Sequence, residues 1–398
     1  MKKSVHFSPL GLIPAVRFIS QGELRKRKIR HADPSKAAPT FRVNARAAAL
    51  HPAFQEMEIT DITPCAGGKC YTLRRTDGEP AAYFRAGQYI YTRYEIDGTK
   101  TARAYSLSSS PKEALSGIYR LTVCEPPGAF TAHWNMEHWN RGTKVSLSAP
   151  MGQFYYDPVR DEKNVIGVSG GSSITAFLSM ARAIADGTED FRLTILYGIP
   201  TRERVIHRED LAEITAATDK VRVIYVYSDE EVPGAEHGFI SSELVEKYAE
   251  DFGDGPYSVF VCGPEPMQRY FEGEREKLGL DRKHVRYDML CLLRQDRETA
   301  DRPCYTLTVH QGPETVEIPM RSDEPVLVAM ERCGIAVPSA CRKGICGMCR
   351  SKLMSGEIAI AAETDERRYA DTLHGEIHPC ITYPLSDLEL SVPELLTF

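Results

Sequence analysis

Cys341, Cys346 and Cys349 fall in the run ACRKGICGMC, and Cys380 follows after thirty intervening residues in HPCITYP. Four thiolates at a C-x4-C-x2-C spacing with a distant fourth suit a [2Fe–2S] cluster, in which they hold two bridged irons. Gly344 and Gly347 let such a loop fold tightly, with backbone N–H groups free to point at the cluster sulfurs. Structural zinc is the competing reading, but zinc sites usually carry paired short Cys hooks, and only one is present here. A disulfide framework fits less well again. The remaining seven cysteines are scattered, as expected of reduced cytosolic thiols. Cys65 and Cys70 repeat the four-residue gap with no third or fourth partner following, and read as the flanks of a β-turn.

Two further runs carry chemistry. Arg103-Ala104-Tyr105-Ser106-Leu107-Ser108-Ser109 places a cation, an aromatic ring and hydroxyls on one strand, where alternate side chains share a face. That set can meet the phosphates, the ring and the redox-active nitrogens of a flavin, although alone it is also an ordinary strand with an aromatic residue. Ser169 to Thr175 (SGGSSIT) follows an apolar strand and opens a helix, where Gly170, Gly171 and Ser172 let backbone approach a pyrophosphate. A plain strand–helix turn is equally open for that run. Cys262-Gly263-Pro264-Glu265-Pro266-Met267 ends another apolar strand, and Cys262 also reads as a buried strand cysteine.

These motifs need scaffolds. The 398 residues are enough for two or three domains, with 42% hydrophobic and 26% charged residues typical of a globular protein. The net charge of −6 argues against general nucleic-acid binding. Residues 1–50 form a basic extension with eleven Lys and Arg against Glu23 and Asp33, so the remainder carries about −15. With four prolines and little periodicity, the segment reads as a surface tail, a partner-docking arm or a transit peptide. Over 51–158, MEITDI, CYTLRR, QYIYTRYEI, ARAYSLSS, YRLTVCE and KVSLSAP alternate at period two and predict an antiparallel β-barrel, with a short helix at Thr131 to His138. Over 159–288, NVIGVSG, RLTILYG, VRVIYVYS and YSVFVCG alternate with helical patterns and predict a parallel α/β sheet. Ile174, Phe177, Leu178, Ala181, Ile184 and Ala185 form one helical face there. A charged linker spans 289–303, and 304–398 holds the cysteine loop.

Val165 to Ala185 carries only Arg182 as a charge, yet Gly167, Gly170, Gly171, Ser172 and Ser173 break it into strand, turn and helix rather than a membrane span. No secretory signal is evident, and the expected location is cytoplasmic.

The C-terminal stretch, from YTLTVHQGPETVEIP through the cysteines to YPLSDLEL, resembles plant-type ferredoxin domains of the α+β, β-grasp class. FRAGQYI, RAYSLSS, PPGAFTAHW and PMGQF together resemble the flavin domain of the ferredoxin–NADP reductase superfamily, and SGGSSIT with CGPEPM its nicotinamide domain. The likeness covers roughly residues 54–398, and its order of flavin, nicotinamide and ferredoxin domains is similar to the reductase components of multi-component oxygenases, hydroxylases and demethylases. It implies that Arg103 holds flavin phosphates, Tyr105 lies beside the isoalloxazine and Ser106 approaches N5, with Ser109 on the same cofactor strand. Gly128 to Thr131 would bind phosphate at a helix start. Gly170, Gly171, Ser172 and Thr175 would bind the nucleotide pyrophosphate, with Cys262, Gly263, Pro264 and Met267 near the nicotinamide. Ser173 and Ala176 depart from the family's usual glycine and proline.

The resemblance further implies FAD rather than FMN. Asp229 and Glu230 after the third strand of the nicotinamide domain favour NADH over NADPH, while Arg202 and Arg204 pull the other way. Ser106 and Cys262 stand as the residues nearest the chemistry. A nicotinamide gives two electrons and a [2Fe–2S] centre accepts one, so a flavin between them must do both. The expected activity is electron transfer from NAD(P)H through flavin and cluster to a separate acceptor protein. Reverse flow from a low-potential donor, or a non-catalytic scaffold, are the alternatives.

Overall fold

The computed structural model describes residues 20–28, 30–31, 41–125, 129–253, 255–288, 303–360, 365 and 367–393. The chain divides into two units, Met1–Ala49 and Leu50–Phe398. In the first unit, residues 20–28 are helical and exposed, and Lys26 Nζ lies 3.0 Å from Glu23 Oε1 one helical turn away. A second helix spans Arg42–Leu50. Helix here is a departure from the aperiodic tail expected. The Arg-Lys run and Ala47-Ala48-Ala49 are good helix formers that carry no apolar stripe.

The second unit begins with six strands: β1 (Phe54–Cys65), β2 (Gly68–Arg75), β3 (Tyr89–Ile96), β4 (Thr99–Ser106), β5 (Ile118–Cys124) and β6 (Lys144–Ser148). They pair in the order β4-β3-β6-β1-β2-β5, every neighbour antiparallel, and a Leu107–Leu121 bridge curls the ends together. The period-two pattern puts Met57, Ile59, Leu73, Ile90, Leu121 and Leu147 inside, fully buried. The helix Phe130–His138 closes one end.

A parallel sheet follows: β7 (Asn164–Gly170), β8 (Arg192–Ile199), β9 (Val221–Tyr227), β10 (Glu236–His237), β11 (Tyr257–Cys262) and β12 (Val285–Tyr287). Its order is β10-β9-β8-β7-β11-β12, so the chain winds outward from β7 in one direction and returns to build the other half from β11. The crevice beyond the carboxyl ends of β7 and β11 is therefore the topological switch point, where such sheets bind nucleotides. The run Val165 to Ala185 forms β7, a 3-10 turn and the helix Ile174–Ala185. That helix is buried on nearly every side, because the sheet lies on one face and the barrel on the other; of its expected apolar face only Ala185 is exposed. Ser179 Oγ donates to Ser109 O at 2.7 Å and Arg182 Nη1 to Ser108 O at 2.6 Å, fixing that seam.

The last domain is built from β13 (Cys304–Gln311), β14 (Glu314–Arg321), β15 (Ser351–Ser355), β16 (Ile358–Ala359), β17 (Glu376–Ile377), β18 (Tyr383–Pro384) and β19 (Leu388–Ser391). The main sheet runs β14-β13-β19-β15-β17, with β13 and β19 parallel and the other pairs antiparallel, while β16 pairs with β18. Helix Val326–Arg332 packs Val326, Leu327, Ala329 and Met330 into its core. Among the described residues no helix is long and apolar enough to cross a membrane.

Candidate functional site: three cofactor loops meeting at one seam

The loop between Val337 and Ser351 is short of regular structure because its backbone serves sulfur. Cys341 Sγ accepts from Lys343 N at 3.3 Å and Cys346 N at 3.4 Å, and Cys346 Sγ accepts from Met348 N at 3.4 Å. Gly344 and Gly347 hold φ of +79° and +69°, a region that costs a residue with Cβ. A Cβ at Gly344 would also lie 2.5 Å from Ile381 Cδ1. Cys341, Cys349 and Cys380 are buried, with Cys346 half-buried. The thiol of Cys346, then backbone N–H groups, hold Cys341 down at about 5 against its burial, and Cys380 likewise lowers Cys349. His378 packs under the same loop, with its Nδ1 2.5 Å from Gly344 O and its Nε2 3.4 Å from Asp371 Oδ2. An all-thiol donor set with N–H groups aimed at sulfur fits a [2Fe–2S] cluster.

On β4, Arg103 is half-buried, and its Nη1 donates to Thr101 Oγ1 at 2.5 Å and to Ala102 O at 2.8 Å. Burial first, then the neighbouring Arg342 guanidinium, pull Arg103 down to about 10. The hydroxyl of Tyr105 is anchored, 2.9 Å from Tyr94 Oη and 2.9 Å from Asn135 Nδ2, while its half-buried ring keeps part of its surface open. Thr131 hydrogen-bonds the same phenol. Ser106 is buried at the end of β4 opposite Tyr89. Ser109 turns inward, with its Oγ accepting from Arg120 N at 3.2 Å, so that hydroxyl braces the strand. Gly128 lies outside the described residues. The helix Phe130–His138 starts at Ala129 with no side-chain cap, which leaves its first N–H groups open to an anion, and the buried Asn135 Oδ1 lacks a partner.

At the switch point, Ser169 of β7 pairs with Cys262 of β11. Gly170 is required there, since a Cβ would lie 2.3 Å from Met267 Sδ and 2.7 Å from Pro264 Cδ. Gly171, at φ +54°, faces open space, and the Gly171–Ser173 turn has no side-chain cap. Ser172 is exposed and its carbonyl accepts from Thr175 Oγ1 at 3.0 Å, while the buried Ser169 Oγ has no partner. Gly170, Gly171 and Ser172 thus form an uncapped cradle that suits a pyrophosphate, with Gly263, Pro264 and Met267 packed against Gly170. Cys262 is fully buried, and burial followed by the nearby Asp288 carboxylate pushes its thiol up.

Two consecutive residues of the cysteine loop tie these pieces together. Arg342, held at φ +58°, donates Nη1 to Glu331 Oε1 at 2.6 Å, Nη2 to Glu331 Oε2 at 2.8 Å, and Nη1 to Thr101 Oγ1 of β4 at 3.3 Å. Thr101 Oγ1 donates in turn to Glu331 Oε1 at 2.9 Å. Lys343, also buried, places Nζ 2.9 Å from Asp288 Oδ1, just past β12, and Cys262 Sγ lies 3.5 Å from the other oxygen, Oδ2.

Comparison with known proteins matches this three-part geometry. Residues 69–156 match the oxidoreductase FAD-binding domain, 168–272 the oxidoreductase NAD-binding domain and 309–385 the 2Fe-2S iron-sulfur cluster binding domain. The chain belongs to the ferredoxin–NADP reductase superfamily. It is an NAD(P)H-dependent oxidoreductase of that superfamily, with FAD and a [2Fe–2S] cluster as its redox groups. It is similar to the glycine betaine monooxygenase reductase subunit of Pseudomonas aeruginosa, 26% identical over 330 residues that cover 77% of this chain and 86% of that one. The NADH oxidoreductase HCR of Escherichia coli is 26% identical over 309 residues, covering 77% and 89%. A solved structure of phthalate dioxygenase reductase shares the fold at TM-score 0.61 and 23% identity, covering 86% of this chain and 98% of that one.

Sequence reading of this reductase missed Glu331, Arg342, Lys343 and Asp288. Arg342 and Lys343 stand inside the cysteine motif, and charged residues in a loop that must be buried were the available signal. Asp288 had none, because β12 is too short to show a period.

Proposed function

We propose that this reductase draws electrons from NADH and delivers them from its cluster to a separate oxygenase-type acceptor. The relatives support the acceptor class: besides the glycine betaine enzyme, one component of the 1,2-phenylacetyl-CoA epoxidase of Escherichia coli is 25% identical over 318 residues. The observation that carries the reading is the pair Arg342 and Lys343, which joins the loop of cluster cysteines to the flavin strand and to the end of the nucleotide domain. When bound, the nicotinamide supplies two electrons as hydride, the flavin exchanges two or one, and the cluster carries one at a time.

The protein's part is placement. Arg103 and the open start of helix Phe130–His138 receive flavin phosphates, while Tyr105, anchored through Tyr94 and Asn135, keeps its ring fixed beside the flavin. Ser106 closes the strand end near the reactive edge. The cradle of Gly170, Gly171, Ser172 and Thr175 receives the pyrophosphate, and Cys262 with Gly263, Pro264 and Met267 walls the nicotinamide side. Cys341, Cys346, Cys349 and Cys380 hold the cluster. Ile345 and Met348 remain 43% and 36% exposed on the same loop, leaving that end of the relay open to a partner.

NADH is favoured because Glu230 occupies Arg202, with Arg202 N donating to Oε2 at 2.9 Å and Nε to Oε1 at 2.5 Å. An arginine so neutralised is a poor receptor for a 2′-phosphate. The thiol-rich composition supports a cytoplasmic site of action. Anaerobic addition of excess NADH should bleach the flavin band and then the cluster band of the purified protein. Bleaching of neither would end the reading, and a cluster that stays oxidised while the flavin bleaches would place electron exit elsewhere.

A further inference from the structure

The register of β1, β2 and β5 sets Cys65, Gly68 and Cys124 level on three neighbouring strands, and Thr63, Cys70 and Thr122 level two residues along. Two-residue steps keep the set on one face of the sheet. Gly68 leaves the middle position without a side chain, and a Cβ there would lie 2.1 Å from Val123 O. The Cys65 thiol hydrogen-bonds both Cys70 and Cys124. The isolated Cys65–Cys70 turn expected from sequence is thus part of a three-thiol group, because strand pairing imports Cys124 from fifty-four residues downstream.

A fourth side chain comes from the nucleotide domain. His207 holds φ +58° ahead of helix Arg208–Ala217 and brings Nε2 3.7 Å from Cys70 Sγ and 2.7 Å from Thr122 Oγ1. Its Nδ1 sits 2.7 Å from Asp210 Oδ2, and Asp210 Oδ1 accepts from Arg182 Nη2 at 2.5 Å. The chain Arg182–Asp210–His207–Cys70 orients the imidazole toward sulfur, as a base is oriented toward a nucleophile. Cys65, Cys70, His207, Arg120, Arg182 and Arg208 line an open cleft of about 350 Å³, so small molecules reach the sulfur. In this setting the Cys65 hydrogen bond, then His207, hold Cys70 down to about 5 against burial. His207 stays protonated up to about 9, its burial outweighed by Asp210 and Cys70.

We propose that Cys70 is a hydroperoxide-reactive thiolate and Cys65 its resolving thiol, forming a reversible disulfide at the seam between barrel and nucleotide domain. The Cys70 sulfur attacks the distal oxygen of a hydroperoxide. A sulfur–oxygen bond forms, the oxygen–oxygen bond breaks, and the departing alkoxide takes the proton of His207. Cys70 becomes a sulfenic acid, oxidised by two electrons, while the hydroperoxide is reduced to an alcohol. The Cys65 sulfur then attacks Cys70, the sulfur–oxygen bond breaks, and hydroxide leaves with the Cys65 proton as water. An external dithiol returns both residues to the reduced state. Cys124 also hydrogen-bonds Ser172 of the Gly170–Ser173 cradle, so losing its Cys65 contact loosens that loop. The consequence for NADH binding rests on the cradle's role proposed above; the disulfide does not.

The test uses the full-length holoprotein, treated anaerobically with one equivalent of hydrogen peroxide, alkylated and digested. Trypsin separates the three thiols, since Lys69 lies between Cys65 and Cys70, and Arg74 and Arg120 between Cys70 and Cys124. The expected product is a Cys65–Cys70 cross-link, reversed by dithiothreitol and accompanied by a several-fold rise in KM for NADH. Cys65→Ser should instead trap Cys70 as a dimedone-reactive sulfenic acid. His207→Asn, which tolerates the left-handed backbone, should slow the reaction at least tenfold. Cys70→Ser and Cys70→Ala, checked for an unchanged flavin spectrum, should leave Cys65 and Cys124 unlinked. The proposal is overturned if all three thiols remain alkylatable, if a Cys65–Cys124 link persists without Cys70, or if stoichiometric zinc copurifies and is lost in Cys70→Ser. A disulfide without any change in KM leaves the thiol chemistry standing and removes the role proposed for the cradle.

Discussion

Lys343 Nζ lies 2.9 Å from Asp288 Oδ1, and both side chains are buried, which makes the pair an obligate partnership between the cluster loop and the nucleotide domain. Removing one member of a buried pair costs about 3–5 kcal/mol, because the survivor's charge is stranded. Asp288→Asn should therefore destabilise the docked cluster domain, and slow cytochrome c reduction while leaving NADH-driven ferricyanide reduction intact. Adding Lys343→Met should recover much of the loss by removing the stranded ammonium. A double variant worse than Asp288→Asn alone would show that the pair does not couple the domains.

Cys346→Ser should strip most of the cluster yet keep reduction of the flavin by the nucleotide, since a hydroxyl is a poor iron ligand. Ferricyanide reduction should stay near the native rate, whereas cytochrome c reduction should fall at least tenfold. Arg103→Ala should release flavin and stop both assays while the cluster absorbance persists. Equal cytochrome c rates in wild type and Cys346→Ser would place the exit at the flavin.

Glu331→Gln should act at the interface and not at either cofactor. It weakens both charge-assisted contacts from Arg342 and the one from Thr101. Flavin and cluster content should remain native, with a lower melting temperature for the cluster domain. Loss of flavin in this variant would mean that Glu331 matters through Arg103.

The sequence was most legible where a local period existed. The six barrel strands and β7, β8, β9 and β11 announced themselves by alternation or by apolar runs, and the cluster cysteines by spacing. What escaped were features of two or three residues, such as β10 and β12, and everything that depends on which strands become neighbours. Thr101 and Glu331 are 230 positions apart, and Cys124 meets Cys65 only through a sheet register. The helices in the basic segment escaped because their described residues are all exposed, so no apolar stripe marked them.

Nucleotide choice should be adjustable at Arg202. Glu230→Gln frees this guanidinium from its partner, so kcat/KM for NADPH should rise several-fold while the NADH value falls slightly. Arg202→Ala in the same background should cancel the gain. An unchanged NADPH value would show that Arg202 does not face the ribose.

Reactivity of Cys70 should be unusual in its pH dependence. His207, Asp210, Arg182, Arg120, Arg208, Glu209, Glu213, Cys65 and Cys124 surround it, and a thiol held at about 5 is already ionised at neutral pH. Its alkylation rate should be flat from pH 6.5 to 8.5 and fall only as pH drops through about 5, whereas an ordinary thiol gains nearly tenfold per unit below about 8.5. A rate that climbs steadily across that range would show an unactivated thiol.

The central strand of the cluster domain is β19, flanked by β13 and β15, yet it follows all four cluster cysteines in the chain. During synthesis, β13 waits for nearly eighty residues before its parallel partner exists, on the order of ten seconds at roughly 5–20 residues per second. Cys341, Cys346, Cys349 and Cys380 therefore leave the ribosome before the sheet that buries three of them can close. Cys341 precedes β19 by 47 residues and Cys380 by only eight, so complete burial of the thiols waits for the last strand of the sheet. A fusion or truncation that disturbs Leu388–Ser391 should yield protein that is yellow with flavin but colourless in iron.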